Sequence, residues 1–325
     1  MNHARNFNHI RLLLASTVAI GHFWALGSGD DSQILSFLSS SAIAGFFIIS
    51  GFLLTESASS LPMWQWLKRR VSRIFPGLVI CVSFIGIVLY PLDILLEGSV
   101  FSGPGVVRFF LGNIWLYPWV PSIEGSLMNA PRYSSWNNST WTLLYEFCCY
   151  IFLLIAIKSI AIKRIIPALL VISSVVVFLL TNSTDVVALS FFRFALLLGY
   201  FLLGVVVKTL STKQSQILIV VIHLVINLIF TGIYYFSVTC ASLLILFFAN
   251  FRSNLKFDLR TDISYGIYLY HFPIFQIAFS VQSYYFERVF LFPTFVACSP
   301  IIFLLSLASW KFIEEPSMKL VRRHN

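Results

Sequence analysis

The chain has 325 residues, of which 58% are hydrophobic and only 11% charged, and its formal net charge is +9. That is more apolar surface than the core of a water-soluble domain of this length needs, so a wholly soluble protein is excluded. The composition predicts an all-α polytopic membrane protein whose charges sit in loops or in a buried site. A positive balance could attract nucleic acid, but the basic residues gather at the ends of apolar runs, which reads as membrane topology and no nucleic-acid partner.

Ten apolar stretches follow in chain order, at roughly 9–27, 34–55, 74–96, 141–157, 165–181, 187–207, 216–232, 234–250, 263–281 and 289–312; about 20 apolar residues suffice to cross a bilayer as a helix. No cleavable leader is expected, because the first run flows into further spans. The run "GVVRFFLGNIWLYPWV" at 105–120 is shorter and carries Arg108. It reads as an interfacial or re-entrant piece within an outer loop of about 97–140. With the N-terminus inside, every Lys and Arg except Arg108, Arg132, Arg193 and Arg288 falls on the cytoplasmic side. A full crossing at 105–120 would instead expose the Lys158–Arg164 cluster. The expectation is therefore about ten transmembrane helices around a polar cavity. Both termini are cytoplasmic, residues 1–325 form a single membrane-embedded domain, and the location is the cell inner (cytoplasmic) membrane. Cys81, Cys148, Cys149, Cys240 and Cys298 lie in apolar runs without ligand spacing and read as small core residues, with no metal. The sequons in "NNST" at 137–140 are of a kind that chance often produces.

Some polar groups have no place in lipid. Arg11 and His22 are eleven residues apart in the first span, which puts them on one helix face about 16 Å apart along the axis. Either His22 is a core histidine bonded to a neighbouring helix, with Arg11 reaching to the membrane edge, or both face a hydrated site. "KRRVSR" at 68–73 sets Lys68, Arg69, Arg70 and Arg73 just before the third span. Arg70 and Arg73 share a face, and two guanidiniums on one face suit phosphate, although cations at this edge also serve as a membrane anchor. "WTLLYEF" places Glu146 inside a span, "YLYHFPIF" places His271 in the ninth with Pro273 close behind, and "FFRF" places Arg193 in the sixth. Two intramembrane histidines, a carboxylate and several cations predict a water-lined cavity, either a transport path or an active site.

At these residues the chain resembles the acyltransferase family 3 membrane proteins, in the standalone form without an SGNH domain. The likeness lies in six motifs in order. Arg11 and His22 match the family's Arg, ten residues, His pattern. "GFFIISGFLLT" (45–55), "RVSR" (70–73), "WTLLYEFCCYIF" (141–152), "ISYGIYLYHFPIF" (263–275) and "FIEEPSMK" (312–319) match the others. Ser and Thr in "RLLLASTVAIGH" stand where the family often has Ala or Leu.

The resemblance implies an integral-membrane O-acetyltransferase with acetyl-CoA as donor substrate, entering from the cytoplasm. The acceptor is a sugar or polysaccharide such as O-antigen, lipopolysaccharide or exopolysaccharide, or its lipid-linked precursor. Arg11, Arg69, Arg70 and Arg73 would hold the donor's phosphates, and the donor arm would run along the first helix to His22. His22 would then act as general base or as nucleophile. Glu146 would orient His22 or polarise the acceptor, and His271 would serve the acceptor side, each weighed against a purely structural hydrogen bond. Arg193, Trp141 and Tyr145 are acceptor-side candidates, with Trp136 and Tyr133 as further sugar-stacking rings weighed against an aromatic belt. Membrane lipid surrounds the protein, and a separate partner protein would pass the acyl group onward. The competing readings are a lipid-linked sugar carrier, which inverted repeats would favour though none is evident, and an N- or succinyl-transferase of the same fold.

Overall fold

A computed structural model describes residues 2–29, 32–132, 134–158, 160–181, 183–210, 212–230, 232–250 and 261–323. Helices carry the structure, and no strand occurs among the described residues. In chain order they are α1 (Asn2–Ser28), α2 (Gln33–Ser60), α3 (Met63–Phe84), α4 (Tyr90–Glu97), α5 (Gly103–Asn113), α6 (Trp141–Lys158), α7 (Ile160–Leu180), α8 (Val186–Thr209), α9 (Lys213–Phe230), α10 (Gly232–Asn250), α11 (Ser264–Phe286), α12 (Leu291–Ser309) and α13 (Glu315–Arg323). Two π-helical turns, Ile85–Leu89 and Trp310–Glu314, join α3 to α4 and α12 to α13 without a break.

Among the described residues, six helical runs are long and apolar enough to cross a membrane: Phe7–Ser28, Gln33–Ser60, Met63–Glu97, Asn138–Ile157, Val186–Thr209 and Leu291–Arg322. Ile166–Leu180, Gln214–Ile229 and Gly232–Phe247 are apolar but shorter. α11 has 23 residues but is rich in Tyr, Ser and Gln. α5, at 11 residues, spans about 16 Å, well short of a bilayer's hydrocarbon thickness. Ile87, Leu95, Ile229, Phe292 and Leu304 are exposed, while Asp93, His271, Gln276 and Glu314 are buried. Apolar outside with polar inside is the arrangement expected where oil is the solvent. Arg252, Lys256 and Arg260, which the topological reading used, lie outside the described residues.

The described residues gather into two compact units. One comprises residues 1–10, 39–66 and 145–257, the other residues 11–38, 67–144 and 258–325. In the first unit α2 and α8 touch backbone to backbone. A Cβ on Gly51 would stand 2.0 Å from the Phe201 carbonyl oxygen, and one on Gly204 would stand 2.0 Å from that of Ile48. Small residues that let helices approach this closely are the main packing device in lipid, where apolar burial supplies no driving force between helices. Lys208 Nζ adds an ion pair to Glu56 at 2.8 Å.

In the second unit the chain after α4 folds back on its own helix. The Tyr90 hydroxyl accepts from Ser102 N–H (2.8 Å) and donates to the Glu124 carbonyl (3.1 Å). Leu127 N–H donates to Asp93 (2.9 Å), and Glu97 accepts from Asn129 (3.0 Å) and from Ser280 of α11 (2.6 Å).

Gly204→Val drives a side chain into the Ile48 carbonyl, which cannot step aside. The expected loss is about 3 kcal/mol, read as a lowered melting temperature in detergent. Gly103→Ala, whose Cβ would have its nearest neighbour at 3.9 Å, leaves the melt unchanged.

Candidate active site

The site in the second unit is built on α11. Pro273 has no N–H, so the Leu269 carbonyl one turn back loses its helical donor. Two side chains replace it: Asn137 Nδ2 donates at 2.9 Å and the Cys81 thiol at 3.4 Å. Next to this, Thr142 and the Tyr268 hydroxyl are 2.6 Å apart, and Tyr268 donates in turn to the Ser139 carbonyl. The segment 137–142 is thus fastened to the turn of α11 that precedes His271. Asn137 is buried with its amide engaged, so its sequon is a packing feature.

His271 Nδ1 lies 2.8 Å from the Ile267 carbonyl. A carbonyl only accepts, so this nitrogen carries the hydrogen, and Nε2 of the neutral ring is a bare acceptor. Nε2 faces His22 Nδ1 of α1 at 2.8 Å. The rings are inclined by only 3° with centroids 5.1 Å apart, little more than the N···N distance plus two ring radii. They therefore meet edge to edge in one plane, along an N–H···N bond, rather than face to face. His22 must donate from Nδ1, which leaves its Nε2 lone pair uncommitted. Phe272 meets the His22 ring edge-on (5.4 Å, 76°) and Phe275 packs near His271. His271 is fully buried and His22 is half-buried.

A second cluster in the same unit gathers charge. Arg73 Nη2 lies 2.5 Å from Asp262 Oδ2, and Arg11 Nη1 lies 3.6 Å from the same oxygen. Arg73 Nη1 lies 3.6 Å from Glu314 Oε2. The π turn Trp310–Glu314 supplies both that carboxylate and the Trp310 ring, 5.4 Å from the guanidinium; π turns often mark functional positions. Burial pushes the Asp262 carboxyl up, but Arg73, Arg11 and hydrogen bonds from Ser264 outweigh it and hold the group below its ordinary value. Its contribution to stability is therefore present above the ordinary aspartate range and is lost only in stronger acid.

The remaining sequence candidates fall as follows. Arg69 and Arg70 are half-buried on α3, and Arg69 Nε makes no hydrogen bond among the described residues. Glu146 belongs to the first unit, where Ser50 (3.5 Å) and Tyr150 donate to its Oε1. Ser50 comes from the "SGF" stretch, so two of the motifs meet there. In that unit Tyr145 is buried and stacks on Phe194 (6.2 Å), and Arg193 is half-buried. Trp141 is half-buried at the start of α6. Trp136 is not a sugar platform: it is fully buried and its indole N–H donates to Ser126 at 2.9 Å. Tyr133 lies outside the described residues.

Sequence reasoning passed over Asn137 and Asp262. The first looked like part of a chance sequon. The second is an acidic residue closing a basic stretch just before α11, a signal that could have been used.

The family described as the acyltransferase domain of the acyltransferase 3 type matches residues 5–311. The chain belongs to the acyltransferase 3 family. This acyltransferase is 25% identical to an "O-acetyl transferase" of Shigella phage Sf6 over 330 residues, covering 97% of this chain and 96% of that protein. It is also 28% identical to "Nodulation protein 10" of Rhizobium leguminosarum bv. viciae over 166 residues, which are 46% of this chain and 43% of that one. No solved structure matches it.

Asn137→Leu leaves the Leu269 carbonyl without its amide donor, at a cost of about 1–3 kcal/mol, measured as a lower melting temperature. Adding Pro273→Ala supplies a backbone N–H to the same carbonyl and recovers at least half of the loss. A double variant as unstable as the single would contradict this assignment of the bond.

Proposed function

We propose that the protein is an O-acetyltransferase of the inner membrane that moves an acetyl group from cytoplasmic acetyl-CoA to a hydroxyl of a cell-surface polysaccharide or its lipid-linked precursor. The observation that carries this reading is the uncommitted Nε2 of His22, held in a single tautomer by the His271–Ile267 chain. Membership of an acyltransferase family supports it, as does likeness along nearly the whole chain to a phage protein called an O-acetyl transferase. Ten crossings with both termini cytoplasmic fit the charge distribution along the sequence, and membrane lipid and a sugar acceptor are the partners this reading requires.

The chemistry follows from the tautomer. Nε2 of His22 takes the proton of the acceptor hydroxyl as that oxygen bonds to the thioester carbonyl carbon. The tetrahedral intermediate then collapses, the C–S bond breaks, and the imidazolium returns the proton to the departing CoA sulfur. Throughout, Nδ1–H of His22 remains bonded to His271, which orients the ring and stabilises its positive charge, a neutral counterpart of the orienting residue in a catalytic triad. A neutral partner suits a site walled by Phe272 and Phe275, where a buried carboxylate would itself need neutralising.

His22→Ala should abolish release of free CoA from radiolabelled acetyl-CoA in the presence of acceptor glycan, while the protein still folds and inserts. His271→Ala should lower turnover by about 10²–10³-fold, since an unoriented base loses most of the advantage of general base catalysis. Normal turnover by His22→Ala would remove this residue from the reaction. A reporter fused at residue 120 should report the outer side, and a cytoplasmic signal would break the ten-crossing topology.

A further inference from the structure

Arg11 and Arg73 stand in one cluster but are held differently. Arg73 hydrogen-bonds Asp262 through one terminal nitrogen (2.5 Å) and holds Glu314 in a looser ion pair through the other (3.6 Å), and its guanidinium lies 5.9 Å from the Tyr265 ring and 5.4 Å from that of Trp310. The carboxylates it meets are themselves anchored. Ser264 Oγ donates to Asp262 Oδ1 at 2.5 Å and Ser309 Oγ to Glu314 Oε1 at 2.9 Å. Arg11 reaches the shared Asp262 oxygen only at 3.6 Å, beyond hydrogen-bond length. Its Nε is buried and makes no hydrogen bond among the described residues. Its side chain is also the more exposed, 23% against 16% for Arg73. A guanidinium with a buried, unused N–H and one stretched ion pair is incomplete in a way that an anion can complete.

We propose that Asp262 is the positioning residue of the donor site: it locks Arg73 as a structural post and parks Arg11 in a stretched contact that a phosphate group of the donor replaces. This rests on the reading of the donor as a phosphate-bearing acyl-CoA. It divides the labour of the two motif arginines. Arg11 is the residue that binds phosphate, and Arg73 joins α3 to the short segment ahead of α11 and to the π turn after α12. It also sets a sign. An incoming phosphate meets the negative charge of Asp262 beside Arg11, so the aspartate opposes donor binding even as it keeps Arg11 in place. Asp262→Asn preserves an acceptor for Arg73 and the shape of the group while removing that charge.

The test is titration of coenzyme A, and separately of inorganic pyrophosphate, into the purified full-length protein in nanodiscs, with melting temperature recorded alongside. Asp262→Asn should bind coenzyme A at least threefold more tightly and lower the KM for acetyl-CoA without raising kcat. A purely structural role would not produce that split. Arg11→Gln should weaken coenzyme A binding at least tenfold with little change in melting, whereas Arg73→Gln should mainly lower the melting temperature. Folded Asp262→Asn protein that binds coenzyme A no better than wild type overturns the proposal. If Asp262→Asn does not fold, the arginine pair decides: equal weakening by Arg11→Gln and Arg73→Gln at unchanged melting also overturns it. Wild-type protein that binds pyrophosphate through Arg11 but not coenzyme A would refute the acyl-CoA donor and leave the division of labour standing. Binding of neither would sink both.

Discussion

One hydrogen bond orders the chemistry of the second unit: the donation from His271 Nδ1 to the carbonyl of Ile267. A helix carbonyl cannot act as a donor, so the bond removes the tautomeric freedom of a buried imidazole. Everything beyond it follows by alternation of donor and acceptor. His271 Nε2 accepts, His22 Nδ1 donates, and His22 Nε2 is left with its lone pair. Two rings from helices at opposite ends of the chain thus form a directed pair instead of two interchangeable polar groups. The same alternation explains why the pair needs no charged member, an advantage beside the apolar rings of Phe272 and Phe275.

The backbone around that pair is shaped for it. Pro273 removes one helical bond, and the freed Leu269 carbonyl becomes the anchor for Asn137 and Cys81. Ser139 and Thr142 extend the attachment through Tyr268. A proline in a membrane helix is tolerated where neighbours re-satisfy the released carbonyl. Here the neighbours are side chains of the stretch that leads into α6, so the break in α11 also fixes where that stretch lies. The charge cluster works on a similar principle. Two guanidiniums face two carboxylates in a partly buried place, and each carboxylate has a serine to fill its second oxygen. Filling a carboxylate's second oxygen in this way offsets part of the cost of burying the pair, while Arg11 Nε stays unfilled among the described residues.

Much of this was readable in the sequence. The helices occupy the apolar stretches, because a run of 20 apolar residues has few alternatives in lipid. The pairing of Arg11 with His22 on one helix face needed only the helical period. The partners were not readable. Spacing within one helix says nothing about which distant segment meets it, so neither the contact of His22 with His271 nor the meeting of Arg73 with Asp262 and Glu314 is legible there. Trp136, a sugar-stacking or aromatic-belt candidate from its place near the outer loop, fills the interior and bonds Ser126. Asn137 was invisible for a related reason: its job is to replace a bond that a proline 136 positions later in the chain removes.

The most direct measurement is nitrogen NMR of histidine-labelled protein in lipid bilayers, with His22 and His271 assigned by single substitution. The account predicts that both rings carry hydrogen on Nδ1, that Nε2 of His22 is unprotonated, and that a coupling passes between His22 Nδ1 and His271 Nε2 through their shared hydrogen. Hydrogen on Nε2 of His22, or two rings with no coupling between them, would contradict it.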